Sequence, residues 1–320
     1  MSAGLVTRAT AVTRVTVTFD LEGAWGMPHD TSYDLLATMS RLLELLDRHG
    51  APAVFFTVGR LIEEHPELIV ELHRRGHEIG LHGYAHEHMH RVPPGEMAAL
   101  REKLRSSAAA VERHTGRRPT GFRMPYLMGP EFYRPDLYAM LSADGYRWIS
   151  NREIRQPEEL FRPGRLKRGL GLLEIEPLRR SALLGLNLPL VLRERPTGGP
   201  RLLDGARWLL RRQQPFDRPE GLIEYPLTSP LDCDLLGYPR PDESSSAAEL
   251  DYAVRVLTAL FDRSADHFTV NLHDWIIGTD RRIEVLDRVL AHVTACPSAV
   301  FHLPGRDGSI RAPRRPPASG

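Results

Sequence analysis

Four short segments of this chain hold residues able to do chemistry. The first is Thr18-Phe19-Asp20-Leu21-Glu22-Gly23, where two carboxylates lie two residues apart at the end of an alternating stretch. On a strand, that spacing points Asp20 and Glu22 to one side and Leu21 to the other. Two buried carboxylates side by side repel unless a positive charge lies between them, and a divalent metal meets that need. The second segment is Leu81-His82-Gly83-Tyr84-Ala85-His86, followed by His88 and His90. His82 and His86 have the i, i+4 spacing that often brings two imidazoles to one ion, and so do His86 and His90. Position favours the first pair, because His82 ends a strand, whereas His88 and His90 read as surface groups. Taken alone, each segment also fits solvated loop acids or a polar loop with incidental histidines.

The third segment is Gly121-Phe122-Arg123-Met124-Pro125-Tyr126. An arginine at a strand end can hold a carboxylate through two N–H groups. Backbone N–H groups just past a proline can face a developing oxyanion. The alternative is a structural Arg–carboxylate pair and a packed tyrosine. The fourth is Val270-Asn271-Leu272-His273-Asp274-Trp275. A histidine there can serve as a general acid, since its ordinary pKa of about 6.5 suits proton transfer near neutrality. It could equally be a lone structural histidine.

The elements that must position these groups read as alternating strands and helices. Val12 to Phe19 alternates as a strand, and Asp34 to His49 has helical periodicity closed by Gly50. A strand at Ala53 to Val58, a helix at Leu61 to Arg75, a strand at Glu78 to Leu81, a helix at Glu96 to Thr115 and a strand from Thr120 follow in turn. Pro135 to Ser150 reads as another helix–strand unit. Regular structure resumes at Gly221 to Pro226, continues through a helix at Ala247 to Arg263 and a strand at Phe268 to Leu272, and ends with a helix at Ile283 to Cys296 and a strand at Ala299 to Leu303. Such alternation requires a parallel α/β sheet, open or closed into a barrel, with reactive groups at the C-terminal strand ends. Residues 151–220 break the pattern, being rich in Arg, Leu, Pro and Gly. They are expected to form an insertion over the mouth, with a helix at Arg201 to Arg212. The domain expected is 12–304, between an N-terminal extension at 1–11 and a disordered tail at 305–320.

The 320 residues are 42% apolar and 26% charged, ordinary for a globular chain with a sizeable core, and the net charge of +1 gives no global field for nucleic acid. Arginine supplies nearly all the positive charge, Lys103 and Lys167 being the two lysines, which genomic base composition would explain. Cys233 and Cys296 fit no metal spacing and are expected to be free thiols. Neither a signal-peptide pattern nor a membrane-span run is present in the sequence, so a cytoplasmic location is expected.

Read in order, FDLEG, HGYAH, RMPY and LHD resemble the motifs of the polysaccharide deacetylases, the NodB-homology family of carbohydrate esterases. The resemblance runs from Val12 to Leu303, interrupted by 151–220. It implies a distorted (β/α)₇ barrel and one divalent metal ion, usually Zn²⁺. By it, His82, His86 and Glu22 would be the metal ligands, in the Asp-x-acid form of a peptidoglycan-deacetylase-like branch. Asp20 would be the general base, held by Arg123; Tyr126 would offer its backbone N–H to the oxyanion; His273 would protonate the leaving amine. The family's Asp-Trp pair that tunes this histidine is missing from 145–151, leaving Asp232, Asp234 or Asp274 as substitutes. The activity implied is removal of an N-acyl group, acetyl or formyl, from an amino sugar or a small sugar-containing metabolite. Trp25 and His29 are candidates to line the pocket. Two other readings fit the same barrel: hydrolysis of a cyclic ureide or imide, and a catalytically silent carbohydrate-binding barrel.

Overall fold

The structure is a computed structural model, and it describes residues 12–25, 33–126, 133–157, 175–193, 206, 209–210, 214–239, 244–264 and 266–306. The chain runs β1 (Thr13–Leu21), α1 (Leu35–Arg48), β2 (Ala53–Thr57), α2 (Gly59–Glu64), α3 (Pro66–Arg74), β3 (Glu78–Leu81), α4 (Met97–Thr115), β4 (Gly121–Phe122), α5 (Pro135–Ala143), β5 (Trp148–Ile149) and β6 (Glu153–Ile154). It continues with α6 (Glu176–Leu186), α7 (Leu188–Arg193), β7 (Phe216–Asp217), β8 (Ile223–Glu224), β9 (Leu227–Thr228), α8 (Asp232–Leu236), α9 (Ala247–Arg263), β10 (His267–His273), α10 (Asp274–Ile277), α11 (Ile283–Thr294) and β11 (Ala299–Phe301).

The main sheet has nine strands in the order β10-β1-β2-β3-β4-β5-β8-β7, with β11 also on β1. All its pairings are parallel except β7 with β8. Among the described residues β7 and β10 do not pair, so the expected barrel is a curled half-barrel whose ring of hydrogen bonds stays open. Side chains bridge the gap instead: the Tyr225 ring lies 5.3 Å from that of His267 and 5.8 Å from that of His302.

Period-2 alternation along β1 separates two cores. Val15, Val17, Phe19 and Leu21 face the helices and pack with Leu42, Leu46 and Leu272. Thr16, Thr18 and Asp20 face the concave side. There Val54, Phe56, Trp148, Tyr225 and Leu303 form a smaller apolar plug beneath the polar mouth. A fully buried Phe or Leu contributes about 1.5–3 kcal/mol as an upper figure, so the outer layer holds the sheet in shape. The plug needs close backbone approach: a Cβ on Gly80 would sit 2.6 Å from the Phe56 ring.

Local chemistry fixes the ends of the elements. Asp34 caps α1 by accepting from the Ala37 N–H at 3.0 Å. Ser246 and Glu249 form a reciprocal capping box on α9. The single helix expected over 61–75 is two helices, because Pro66 has no N–H to continue the ladder and forces His65 out of helical conformation (φ −133°, ψ 59°).

Of the expected insertion, β6, α6 and α7 are described and pack on a cluster of their own, Ile154, Leu183, Leu190, Val191 and Leu209. The Asn187 side chain ties it down, donating to the Arg155 carbonyl at 2.7 Å and accepting from the Arg155 N–H at 3.0 Å. β6 pairs with β9, beyond the C-terminal ends of β5 and β8, which sets this unit beside the mouth. Of the helix expected at 201–212, the described residues Ala206, Leu209 and Leu210 are helical and the rest lie outside the description, as do the extension at 1–11 and His29. Of the expected tail, residues 307–320 lie outside it too. Gly305 and Arg306 are packed, the Gly305 N–H donating to Glu78 and the Arg306 guanidinium to the Gly76 carbonyl at 2.7 Å.

Candidate metal centre and catalytic site

All four motifs reach the same mouth. Strand β1 delivers Asp20 and Glu22, and pairing in register sets Asp20 beside His273 of β10. His82 follows β3 directly, and Arg123 follows β4. His86 must turn back to join them. Gly83 makes that possible: its φ is +74°, and a Cβ there would meet the Glu87 carboxylate at 2.8 Å and Pro125 at 3.1 Å. Among the described residues only His86 (φ 57°) and Tyr126 (φ 58°) are non-glycine residues in the left-handed region. That conformation costs about 1–2 kcal/mol per residue, and here it falls on two of the seven residues the motifs single out.

Glu22 is the hub. Its Oε1 lies 3.1 Å from His82 Nε2 and 2.9 Å from His86 Nε2, and its Oε2 accepts from the Trp275 indole N–H at 2.8 Å. All three side chains are buried, and they form a group of donors able to hold one ion. His82 Nδ1 lies 3.0 Å from the Arg123 carbonyl, so Nδ1 donates and leaves Nε2 facing the carboxylate. His86 Nδ1 is buried without a partner among the described residues. The edges of 2.9 and 3.1 Å approach the roughly 3.3 Å edge of a tetrahedron with bonds of about 2.0–2.1 Å. The donor set therefore fits a small divalent ion, with glutamate reaching as far as the shorter aspartate would.

Asp20 lies just behind. Its Oδ1 accepts from Arg123 Nη1 at 2.8 Å and its Oδ2 from the Asn271 amide at 2.9 Å. Its Oδ2 is 3.8 Å from His82 Nε2 and 3.9 Å from His273 Nε2. The fully buried Arg123 is fixed by the Ser150 carbonyl at 3.0 Å, Ser150 Oγ at 2.8 Å, Thr18 Oγ1 at 2.9 Å and the Asn271 carbonyl oxygen. Burial alone would raise the Asp20 pKa, but the Arg123 charge, with those of His82 and His273, outweighs it and holds the carboxyl below its ordinary value. Burial would likewise raise Glu22, and hydrogen bonds from His82 and His86 hold it well below.

His273 is paired with Asp232, one of the three substitutes open from the sequence: Nδ1 lies 2.7 Å from Asp232 Oδ1, and the His273 N–H donates to Oδ2 at 2.7 Å. Burial alone would lower the imidazole; the Asp232 charge and hydrogen bond, then Glu22 and Asp20, push it up to about 10. Asp234 caps α8 instead, accepting from the Leu231 N–H at 3.0 Å. Asp274 also has other work, accepting from the Glu22 N–H at 2.9 Å, the Gly23 N–H at 3.2 Å and the Tyr33 hydroxyl at 2.5 Å, which fixes the end of β1. A second donor group comprises Asp232, Cys233 and His273. Burial pushes its thiol up, so Cys233 stays protonated and is a poor ligand. Both cysteines are free.

Tyr126 lies over this mouth, its ring 4.5 Å from that of His86 and stacked at 3.8 Å on exposed His88. The half-exposed Trp25 ring is 4.7 Å from His86, at the rim rather than in the core. No spacing in the sequence assigns a role to Asn271 or Trp275, although Asn271 stands two before His273 and so shares its face.

Residues 8–147 match the family model described as polysaccharide deacetylase. That stretch, under half of the chain, is similar to the polysaccharide deacetylases. Over 109 residues it is 35% identical to the peptidoglycan deacetylase of Helicobacter pylori, covering 32% of this chain and 36% of that protein. Over 85 residues it is 33% identical to the chitooligosaccharide deacetylase of a Bradyrhizobium strain, covering 27% and 38%. The match thus spans little more than a third of the length of either relative. The deacetylase fold extends over nearly the whole chain. A solved structure from Mycobacterium smegmatis, classed as a polysaccharide deacetylase, superposes with a TM-score of 0.56 at 18% identity, covering 93% of this chain and 89% of that one. An allantoinase superposes with a TM-score of 0.54 at 14% identity, covering 92% and 88%.

Proposed function

We propose that this protein hydrolyses the amide of an N-acylated amino sugar, with one divalent ion, Zn²⁺, held by Glu22, His82 and His86. The observation that carries the reading is the meeting of Glu22 Oε1 with both imidazole Nε2 atoms at 2.9 and 3.1 Å, flanked by Asp20 on Arg123 at 2.8 Å and His273 on Asp232 at 2.7 Å. Relatives named for the deacetylation of peptidoglycan and chitooligosaccharide support the amide and the carbohydrate. Bound there, the ion would act as a Lewis acid on the acyl oxygen and lower the pKa of a water.

The chain's own residues supply the rest. Asp20, kept ionised by Arg123, takes the water's proton as its oxygen adds to the acyl carbon. The Tyr126 backbone N–H donates to the oxygen that gains charge, a contribution of about 3 kcal/mol for one such donor. His273, kept protonated by Asp232, gives its Nε2 proton to the nitrogen as the C–N bond breaks. The products are a free amine and acetate or formate.

The test is carboxylate release from N-acetyl- and N-formylglucosamine oligomers, measured beside a hydantoin-type ring. Release from the amino sugars is expected. Asp20→Asn should bind metal normally and lose at least about a hundredfold in rate, the scale of general-base catalysis. A near-native rate in that variant would refute the assignment of the base, and turnover of the ring alone would refute the substrate class.

A further inference from the structure

The insertion does not use its apolar side chains as a buried segment would. Eleven large apolar residues are exposed among the described residues, and five of them belong to this segment: Ile175, Leu178, Leu188, Leu192 and Leu210. Leu188 and Leu192 lie one turn apart on α7, exposed by 46% and 59%, while Leu190 and Val191 between them are buried in the segment's own cluster. Ile175 and Leu178 repeat the pattern at the start of α6, each 48% exposed. These residues are therefore not the leftover edge of the main core.

The same segment carries the molecule's charge asymmetry. Residues 151–220 contain fifteen Arg and Lys against nine Asp and Glu, a net +6, so a chain of net +1 is −5 elsewhere; of these cations Arg152 and Arg218 are buried. They also contain sixteen leucines. Exposed leucines on short helices within a cationic segment are the composition that lies in the headgroup layer of an anionic bilayer, apolar residues inserted and cations at the phosphates. A second copy of the chain would set one net-positive segment against another across a symmetric contact. No helix among the described residues is long and apolar enough to cross a membrane, so the contact is with the surface.

We infer that α6 and α7 form a docking face for an anionic lipid surface. The tie of β6 to β9, just before Asp232 and its partner His273, anchors the unit that carries this face beside the candidate catalytic site. A docked molecule would turn that site toward the headgroups. The substrate class it would serve is an N-acylated amino sugar attached to a lipid, an extension that rests on the deacylase reading above.

The experiment is co-sedimentation of the full chain with phosphatidylcholine vesicles containing 0 to about 40% phosphatidylglycerol, which needs no turnover and so can fail without touching the catalytic reading. Binding should appear with phosphatidylglycerol and weaken as salt screens it. Leu178→Ser/Leu188→Ser/Leu192→Ser should bind at least tenfold more weakly, with an unchanged rate on a soluble chitooligosaccharide. Leu192→Glu, at the most exposed of the five positions, gives the same reading should the triple variant fold poorly. No sedimentation with phosphatidylglycerol vesicles, equal binding by a folded variant, or a lipid-free dimer that the triple variant dissolves would each overturn the inference.

Discussion

Replacing Asp232 by Asn tests the acid half of the mechanism. The carboxylate lies 2.7 Å from His273 Nδ1, and with Glu22 and Asp20 it pushes the imidazole up to about 10 against burial. Asn keeps the shape and removes the charge. The histidine then falls toward its ordinary value of about 6.5, by at most roughly 3.5 units or about 5 kcal/mol between protonation states, an upper figure because Glu22 and Asp20 still face the ring. At pH 8 a group of pKa 6.5 is protonated in about one molecule in thirty. The alkaline limb of kcat/KM should move down toward pH 6.5, with a loss of up to about thirtyfold at pH 8 and a smaller one at pH 6. The stability linkage has the same origin. The folded pKa is raised, so the pair's contribution is complete below about 6.5 and is lost as pH rises through about 10; the variant should lack that loss. An Asp232→Asn enzyme with the parental alkaline limb would refute the claim that Asp232 keeps His273 protonated.

Trp275→Phe removes the N–H on Glu22 Oε2 and should weaken metal binding about 10–100-fold by chelator competition, with the rate restored by excess metal; unchanged affinity would assign the indole to packing alone. Gly80→Ala puts a Cβ 2.6 Å from the Phe56 ring and should cost about 1–3 kcal/mol in urea unfolding, against near neutrality at the open Gly95.

The placement of the four motifs was legible because each ends a parallel strand, where period-2 alternation decides what faces the mouth. Asp20, Glu22, His82, Arg123 and His273 were found that way and meet in the structure. His86 was legible by its spacing from His82, although the turn that returns it depends on left-handed Gly83. The partner of His273 was narrowed to three aspartates and no further. Asp232 stands on a five-residue helix 41 positions upstream, where no periodicity reports its direction. The details of the curled sheet were hidden for a related reason: β4, β5, β7 and β8 are two residues each, too short to reveal register or closure. The break at His65–Pro66 was written in the sequence and overridden by apolar periodicity across it. Within 151–220, Leu178, Leu188, Leu192 and Leu210 face outward and so carry no burial pattern to read.

The most direct test of the central claim is the metal content of the purified protein beside His82→Ala. About one zinc or similar ion per chain, lost in the variant, is the result expected from a site in which Glu22 Oε1 meets both imidazoles. A wild-type protein that is metal-free and cannot be loaded, or a His82→Ala protein that keeps its ion, would contradict it.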